Sequence, residues 1–333
     1  MKKMPMKTMF YAIMITSTLI TITATSWLGV WMGLEINMLS FIPLMSNKST
    51  YSTSSIKYFI TQTLASITLM TSFITLMMNL FNQHKEIINI MMAMSILMKM
   101  GAAPVHFWFP EVMEFMEWKN CMLLMTWQKI APLVTMSYIE VNQMFMTTII
   151  IMSAIIGAIM GLNQISLRLI LAYSSINHMA WMLASIQASM MNWIWYFLIY
   201  SLLTMIISMS MKNSNINFIN EMFIVNNNNK IDKLNSAISF LSLGGMPPFI
   251  GFMPKWMLIQ EMMQKCMYSV SVTLIVSSTV TLYFYMKMFL SAGLLSLKEN
   301  KWTKNNFMIK NKTSFMLNSV STLGMLMSPL FLK

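Results

Sequence analysis

Charged residues are scarce in this chain. They make up 10% of its 333 residues, whereas 56% of the residues are hydrophobic. No polar stretch is long enough for a separate globular domain, since the longest, residues 212–233, is rich in asparagine and typical of a loop. Several apolar runs reach about twenty residues, the length that crosses a bilayer as a helix. These features predict an all-α polytopic membrane helix bundle with a single membrane domain over residues 1–333.

Cysteine and histidine are also scarce. The chain has two cysteines and three histidines, with no C-x-x-C pair and no cluster of His and Cys. Zinc, iron–sulfur and haem sites need such sets of ligands at close spacing. We therefore expect this chain to bind no metal and no cofactor of its own.

Acidic residues are outnumbered by basic ones, 10 against 22, which gives a formal net charge of +12. In a soluble protein this excess would suggest a nucleic-acid partner. Here the basic residues are scattered between apolar runs, so we interpret them as topology signals and expect no nucleic acid. The first residues, MKKMPMKTMF, begin like a secretory signal but continue into a long apolar run without a clear cleavage site. They also lack the arginines of a mitochondrial transit peptide, which predicts an uncleaved first helix made inside its own compartment.

The apolar runs predict eleven membrane crossings joined mostly by short connections, a pattern that favours a compact bundle of antiparallel neighbours. The predicted crossings are residues 5–25, 27–45, 56–80, 87–117, 120–139, 143–162, 168–188, 192–211, 234–264, 267–291 and 314–332. Lysine and arginine then divide unevenly, with fifteen on the side of the N-terminus, three on the other side and four within crossings. By the positive-inside rule the N-terminus faces the compartment of synthesis and the C-terminus the opposite one.

Two of the predicted crossings are interrupted by glycine and proline. The first, residues 87–117, carries Lys99 shortly before Gly101 and Pro104, and the second, residues 234–264, carries the run LGGMPPFIGFMPKW with Lys255. Proline frees a backbone carbonyl, which lipid does not tolerate unless protein or water satisfies it. A pair of broken helices in the two halves of a chain is typical of inverted-repeat transporters and points to their ion path.

Two further charges lie deep in predicted crossings. Glu35 lies about 12 Å from the nearer end of its helix, too far to reach the interface, and Lys129 lies near the middle of its own, two residues before Ala131-Pro132. Intramembrane ionisable residues are functional-site candidates. A buried lysine that gains and loses a carboxylate partner can change its proton occupancy, so Glu35, Lys99, Lys129 and Lys255 supply what a proton relay requires.

Other polar residues have less specific interpretations. His178 lies in a polar stripe with Ser174, Ser175 and Asn177, and could extend the relay or be a histidine bonded within the bundle. His106, inside the first break, has the same two interpretations. Lys287 lies near a helix end, where snorkelling explains it. The deeply placed charges also have a purely structural interpretation, as ion pairs that lock helices together.

Several motifs carry a family resemblance. The run LMKMGAAPVHFWFPEV, residues 97–112, resembles the K-x-G-x-x-P-x-H-x-W-x-P-E motif of the antiporter-like membrane subunits of respiratory complex I. The runs TWQKIAP, LRLILAYSSINHMAW and GGMPPFIGFMPKW resemble three further motifs of that family, and WMGLEINMLSFIPLM resembles its glutamate-bearing helix. The predicted crossings begin just before this helix. In this respect the chain resembles the animal mitochondrial members of the family, which lack the N-terminal helices of the other members. The composition, rich in methionine and asparagine, resembles that of AT-rich invertebrate mitochondrial genomes.

The resemblance implies a role for each buried charge. Glu35 and Lys99 would form the ion pair of a first half-channel, Lys129 would be the central proton carrier, Lys255 the lysine of the second broken helix, and His178 a connecting residue. It further implies a mitochondrial inner-membrane protein with its N-terminus in the matrix and its C-terminus in the intermembrane space. Its partners would be the lipid bilayer and the other membrane-arm subunits of complex I. Flavin, iron–sulfur clusters and quinone would belong to other subunits.

Two alternatives remain open at this stage. A freestanding sodium/proton antiporter subunit would share the same motifs, and sodium-dependent transport by the isolated chain would favour it. A structural membrane subunit would use its charges only to hold helices together, and normal pumping after their neutralisation would favour that interpretation.

Overall fold

The computed structural model describes residues 3–45, 52–78, 85–224 and 230–293. The predicted last crossing, residues 314–332, lies outside these ranges, as does part of the predicted polar loop. The described residues form fourteen helices and no strand beyond one isolated antiparallel bridge between Ser166 and Phe218. The helices are α1 (Lys3–Thr23), α2 (Trp27–Met45), α3 (Ser52–Met77), α4 (Lys85–Met100), α5 (Trp108–Glu114), α6 (Trp118–Met125), α7 (Trp127–Ser137), α8 (Gln143–Leu162), α9 (Leu167–Ala188), α10 (Met190–Ser214), α11 (Glu221–Ile224), α12 (Lys230–Gly244), α13 (Phe252–Gln264) and α14 (Tyr268–Gly293).

Seven of the described helices are long and apolar enough to cross a membrane: α1, α2, α3, α8, α9, α10 and α14. Three further predicted crossings correspond to pairs of shorter helices, namely α4 with α5, α6 with α7, and α12 with α13. Many large apolar side chains on these helices are exposed, among them Met144 (77%) and Ile67 (58%). Exposed apolar surface on this scale suits lipid and not water. The chain is an all-α polytopic membrane protein.

The chain divides into two compact units, residues 1–153 and 154–333, and the boundary along the chain falls within α8. In the first unit α1 packs along α2, α3 packs on α4, and α7 contacts α1, α2 and α4. Gly33 allows the first of these approaches, because a Cβ there would lie 2.4 Å from Thr21 Cγ2. The core of this unit includes Phe41, Ile96 and Phe109, all with at most 2% of their surface exposed.

In the second unit α9 is the most enclosed helix. Most of its residues are buried, with α10, α13 and α14 packed against it, and α12 packs on α14 and α10. Buried residues lie all round α9, including Trp181, His178 and Asn177. A helix that is enclosed on every side but carries polar residues must satisfy them inside the protein, and Asn177 Oδ1 accepts a hydrogen bond from Ser277 on α14 at 3.1 Å.

The two glycine–proline breaks begin with the same backbone turn. After α4, Gly101 has φ +72° and its N–H donates to Met98 O, while Ala102 N–H donates to Leu97 O. After α12, Gly245 has φ +81° and makes the corresponding bond to Ser242 O, while Met246 N–H donates to Leu241 O. This is a Schellman motif, which ends a helix and satisfies its last carbonyls where a residue of positive φ is available.

The structure also shows a break in a crossing that the sequence predicts as continuous. Residues 120–139 divide at Thr126 into α6 and α7. Thr126 has φ −111° and ψ −73°, and both its N–H and its hydroxyl donate to Met122 O. Pro132 lies inside α7 and cannot donate to the Gln128 carbonyl. The interruption therefore lies before Lys129 as well as after it.

Candidate functional site

Glu35 on α2 and Lys99 at the end of α4 form a buried ion pair. Glu35 Oε1 and Lys99 Nζ lie 3.7 Å apart, and the two side chains are 18% and 3% exposed. The distance is too long for a hydrogen bond, and Glu35 Oε1 has no hydrogen-bond partner among the described residues. Charges this far apart attract by roughly 4 kcal/mol at an effective dielectric constant of about 20. The pair is held by charge attraction, without a directional bond that would resist separation.

The break after α4 is anchored around Lys99. Gln62 on α3 donates to the Lys99 carbonyl at 3.3 Å, and the indole of Trp108 on α5 donates to the Met98 carbonyl at 3.0 Å. Gly101 is required at the turn, because a Cβ there would lie 2.9 Å from Phe109 Cβ. The carbonyls released by the break are thus satisfied by protein, and the Lys99 side chain is fixed beside α2.

Lys129 on α7 is 2% exposed, and its ammonium nitrogen lies 5.5 Å from the centroid of the Phe109 ring. This is the distance range of a cation–π contact. Lys129 and Lys99 line one cavity, which offers about 20 Å³ to the centres of water molecules. About 10–15 Å³ is enough for one water if polar partners surround it. The polar lining consists of Asn37, Tyr58, Gln62, Lys99, Gln128 and Lys129.

Four of these lining residues were not singled out from the sequence. Gln128 Nε2 donates to Asn37 Oδ1 at 3.1 Å, which links α7 to α2 through the neighbours of Lys129 and Glu35. Tyr58 on α3 is 3% exposed, and its ring centroid lies 5.4 Å from that of Phe41 on α2. A polar residue in a predicted crossing, placed near a predicted charge, is the one signal that could have indicated them.

Lys255 on α13 belongs to the second unit. It is 6% exposed, donates from Nζ to Gly244 O at 2.8 Å, and lies 5.7 Å from the centroid of the Trp181 ring. Gly244 is the last residue of α12, so the ammonium lies at the negative end of that helix. Among the described residues no carboxylate lies within 4.0 Å of it. Its charge is balanced by neutral groups, unlike that of Lys99.

His178 on α9 is 6% exposed, and its Nδ1 lies 2.8 Å from the hydroxyl of Tyr196 on α10. His106, in the first break, donates from Nδ1 to Pro104 O at 3.2 Å, a local contact within the turn. Glu111 on α5 pairs with Lys57 at the start of α3, where both side chains are about half exposed. Lys287 on α14 is exposed, as its position near a helix end suggests.

The predicted site residues therefore divide between the two units. Glu35, Lys99 and Lys129 lie close together in residues 1–153, the first two as a pair and the second two on one cavity. Lys255 and His178 lie in residues 154–333, where Lys255 faces the ring of Trp181 and His178 contacts the hydroxyl of Tyr196. Among the described residues no group of three or more His, Cys, Asp or Glu could hold a metal. What these groups can do is bind, exchange and release protons.

Discontinuous helices with buried lysines beside the breaks define a membrane protein of the transporter class. Residues 24–281 match the profile of the family described as NADH:quinone oxidoreductase/Mrp antiporter, TM. The chain belongs to this family.

Full-length relatives agree with this assignment. NADH-ubiquinone oxidoreductase chain 2 of Anopheles gambiae is 46% identical over 330 residues, which cover 96% of this chain and 95% of that one. The protein of the same name from Locusta migratoria is 42% identical over 332 residues, which cover 98% and 97%. A chain of respiratory complex I from Thermus thermophilus shares the fold, with a TM-score of 0.83 at 18% identity over 97% of this chain and 79% of its own length.

Proposed function

We propose that this chain is the chain 2 type of membrane subunit in mitochondrial NADH-ubiquinone oxidoreductase, and that it moves protons across the inner membrane through Glu35, Lys99, Lys129, Lys255 and His178. It is a multi-pass subunit of a multi-subunit complex in a lipid bilayer. The observation that carries the proposal is the loose Glu35–Lys99 pair beside a broken helix, on the same cavity as the buried Lys129.

The mechanism follows from electrostatics. A conformational or charge change that arrives from the quinone end of the complex separates Glu35 from Lys99. An attraction of roughly 4 kcal/mol is then lost, enough to change a protonation ratio by about a thousandfold. The uncompensated Lys99 ammonium repels the proton on Lys129 through the shared cavity and drives it toward Lys255. When the pair closes again, Lys129 can take up another proton.

The orientation of the chain is part of the proposal. With the N-terminus in the matrix and the C-terminus in the intermembrane space, fifteen basic residues face the matrix and three the opposite side. Electron transfer from NADH, with its flavin, iron–sulfur clusters and quinone, takes place in other subunits. The two cysteines are single and not clustered, which supports that division of labour.

Replacement of Lys129 tests the proposal. In complex I that carries Lys129→Met, we expect normal assembly, because methionine fills a similar volume without charge, but a lower proton-to-electron ratio in proteoliposomes. Lys287→Met is the matched control, since it removes an exposed lysine of the same chain. An unchanged ratio in the Lys129 variant, with the same ratio in the control, would refute the relay.

The family description also covers Mrp antiporters, which favours a second candidate function, sodium/proton exchange by the same buried charges. The same proteoliposomes test it. A proton flux that depends on a sodium gradient in the absence of NADH would support the exchange, and a flux that depends only on electron transfer would support the first proposal.

A further inference from the structure

Tyr196 joins two of the predicted relay residues. Its hydroxyl lies 2.8 Å from His178 Nδ1, and it is 2% exposed. Its ring stacks on the indole of Trp181, with 6.3 Å between centroids and 9° between planes. The Trp181 ring in turn lies 5.7 Å from Lys255 Nζ. One side chain of α10 therefore contacts both the imidazole and the aromatic ring that faces the buried ammonium.

A tyrosine hydroxyl suits a partner whose protonation changes. When Nδ1 of His178 lacks a proton, it accepts a hydrogen bond from the hydroxyl, and when Nδ1 carries one, it donates to the hydroxyl oxygen. The contact is kept in both cases, and only its direction reverses. A phenylalanine at position 196 would retain the ring stacking and lose this adjustable contact.

Lys255 has the ring of Trp181 beside its ammonium, whereas Lys99 has the carboxylate of Glu35. Lys255 is held by the Gly244 carbonyl at 2.8 Å and by the indole face. Trp181 is 1% exposed, and its Nε1 has no hydrogen-bond partner among the described residues. Because no directional bond fixes the indole there, its orientation depends on the rings packed against it, and Tyr196 is the one stacked parallel to it among the described aromatic contacts.

We infer that Tyr196 is a positioning residue of the proton relay: its hydroxyl orients His178 and its ring holds Trp181 against Lys255. The inference rests on the proposed function, since it assigns a further residue to the same relay. It also explains why His178 and Trp181, three residues apart on α9, face one residue of α10.

The test uses assembled complex I with Tyr196→Phe. We expect wild-type content of the complex and retained NADH oxidation, but a proton-to-electron ratio lowered as far as in the Lys129→Met complex. Tyr283→Phe is the matched control, because Tyr283 is 66% exposed on α14, and its ratio should equal that of the wild type. The double variant His178→Gln with Tyr196→Phe should show no further loss beyond that of His178→Gln alone.

Each other outcome decides the matter. An unchanged ratio for Tyr196→Phe beside a lowered ratio for Lys129→Met would overturn this inference and leave the proposed function in place. Unchanged ratios in both would overturn the proposed function itself. Loss of the complex on Tyr196→Phe would show that the tyrosine is structural and would overturn the positioning role. An equal effect of Tyr283→Phe would overturn it too, because the loss would not be specific to Tyr196. Full additivity with His178→Gln would overturn it because the tyrosine would then act independently of the histidine.

Discussion

The three buried lysines differ in what balances their charge. Lys99 has a carboxylate at 3.7 Å, Lys255 has a helix-end carbonyl and an indole ring, and Lys129 faces the ring of Phe109 beside the cavity. A carbonyl or an aromatic ring carries no net charge, so its displacement changes the charge around the lysine little. Displacement of a carboxylate leaves the lysine without its counter-charge. A small separation of Glu35 from Lys99 changes the local charge, and this makes the pair suitable as a switch.

The Glu35–Lys99 pair can be tested by removing the charge of one partner alone. Glu35→Gln leaves the Lys99 ammonium buried without its carboxylate, and breaking a buried pair in this way costs about 3–5 kcal/mol. The partial exposure of Glu35, 18%, places the expected loss at the lower end of that range. We expect a lower melting temperature of the purified complex, or a lower content of assembled complex, for Glu35→Gln.

The double variant Glu35→Gln with Lys99→Met is the decisive comparison. It removes both charges and should recover most of the lost stability, while pumping stays low because the switch is gone. Equal stability of the single and double variants would mean that the pair contributes no charge balance. Recovered pumping in the double variant would mean that the pair is not part of the relay.

At the level of helices, the second break depends on one close approach. Gly251, the residue before α13, leaves no room for a side chain, since a Cβ would lie 1.8 Å from Ser242 O. Backbone atoms cannot yield as a flexible side chain can. The tight contact holds the start of α13 against the end of α12, and thereby keeps Lys255 within reach of Gly244 O.

Gly251→Ala should therefore displace α13 and remove the Lys255 contact with α12. We expect a loss of assembled complex on native gels, or a complex that oxidises NADH with little proton transport. Gly29→Ala is the matched control on α2, where the nearest atom to a new Cβ, Ala24 Cβ, is 3.2 Å away and belongs to a small side chain. Equal effects of the two substitutions would contradict a special requirement at Gly251.

The sequence predicted the helices well where apolar runs end at strong signals. Gly101 with Pro104, and Gly245 with Pro247, mark the two breaks because glycine alone accepts positive φ cheaply and proline cannot continue a helix. The division at Thr126 carries no such signal, since threonine occurs inside many helices. Its hydroxyl bond to Met122 O is a local choice that only the packed structure reveals.

For the candidate site, the sequence indicated the titratable residues only. Charges in apolar runs singled out Glu35, Lys99, Lys129 and Lys255 as relay candidates, because burial of a charge is costly anywhere in the membrane. The structure places these side chains in largely buried positions, and their role in proton transfer stays a prediction. Their neutral partners were not predictable in the same way. Asn37 meets Gln128 across 91 residues of chain, and Tyr196 on α10 meets His178 on α9 across 18 residues, so both contacts depend on how helices pack and not on any local pattern.

Over the whole molecule, contacts within each unit join helix ends and connections that the alternation of predicted crossings places on the same side. In residues 1–153, Lys57 pairs with Glu111, Asn89 donates to Glu140 O, and Tyr138 donates to Ile22 O.

In residues 154–333, Arg168 donates to Asn217, and Lys265 donates to the Ala188 carbonyl. Lys265 thus caps the C-terminal end of α9, where a cation is favourable. This gives a structural reason for one of the few basic residues on the sparse side.

The proposed orientation can be read from a native cysteine. Cys266 is exposed in the turn between α13 and α14, on the side that carries few basic residues, whereas Cys121 is buried. A membrane-impermeant maleimide should label Cys266 in mitoplasts, whose intermembrane-space face is accessible, and not in inverted inner-membrane vesicles. Cys121 should stay unlabelled in both until the protein is denatured.

The control is Lys119→Cys, an exposed position on the side that carries most of the basic residues. It should show the opposite pattern and so report access from the matrix face. Labelling of Cys266 only in inverted vesicles, together with Lys119→Cys only in mitoplasts, would reverse the assignment of both faces, because every crossing between them is fixed by the same alternation.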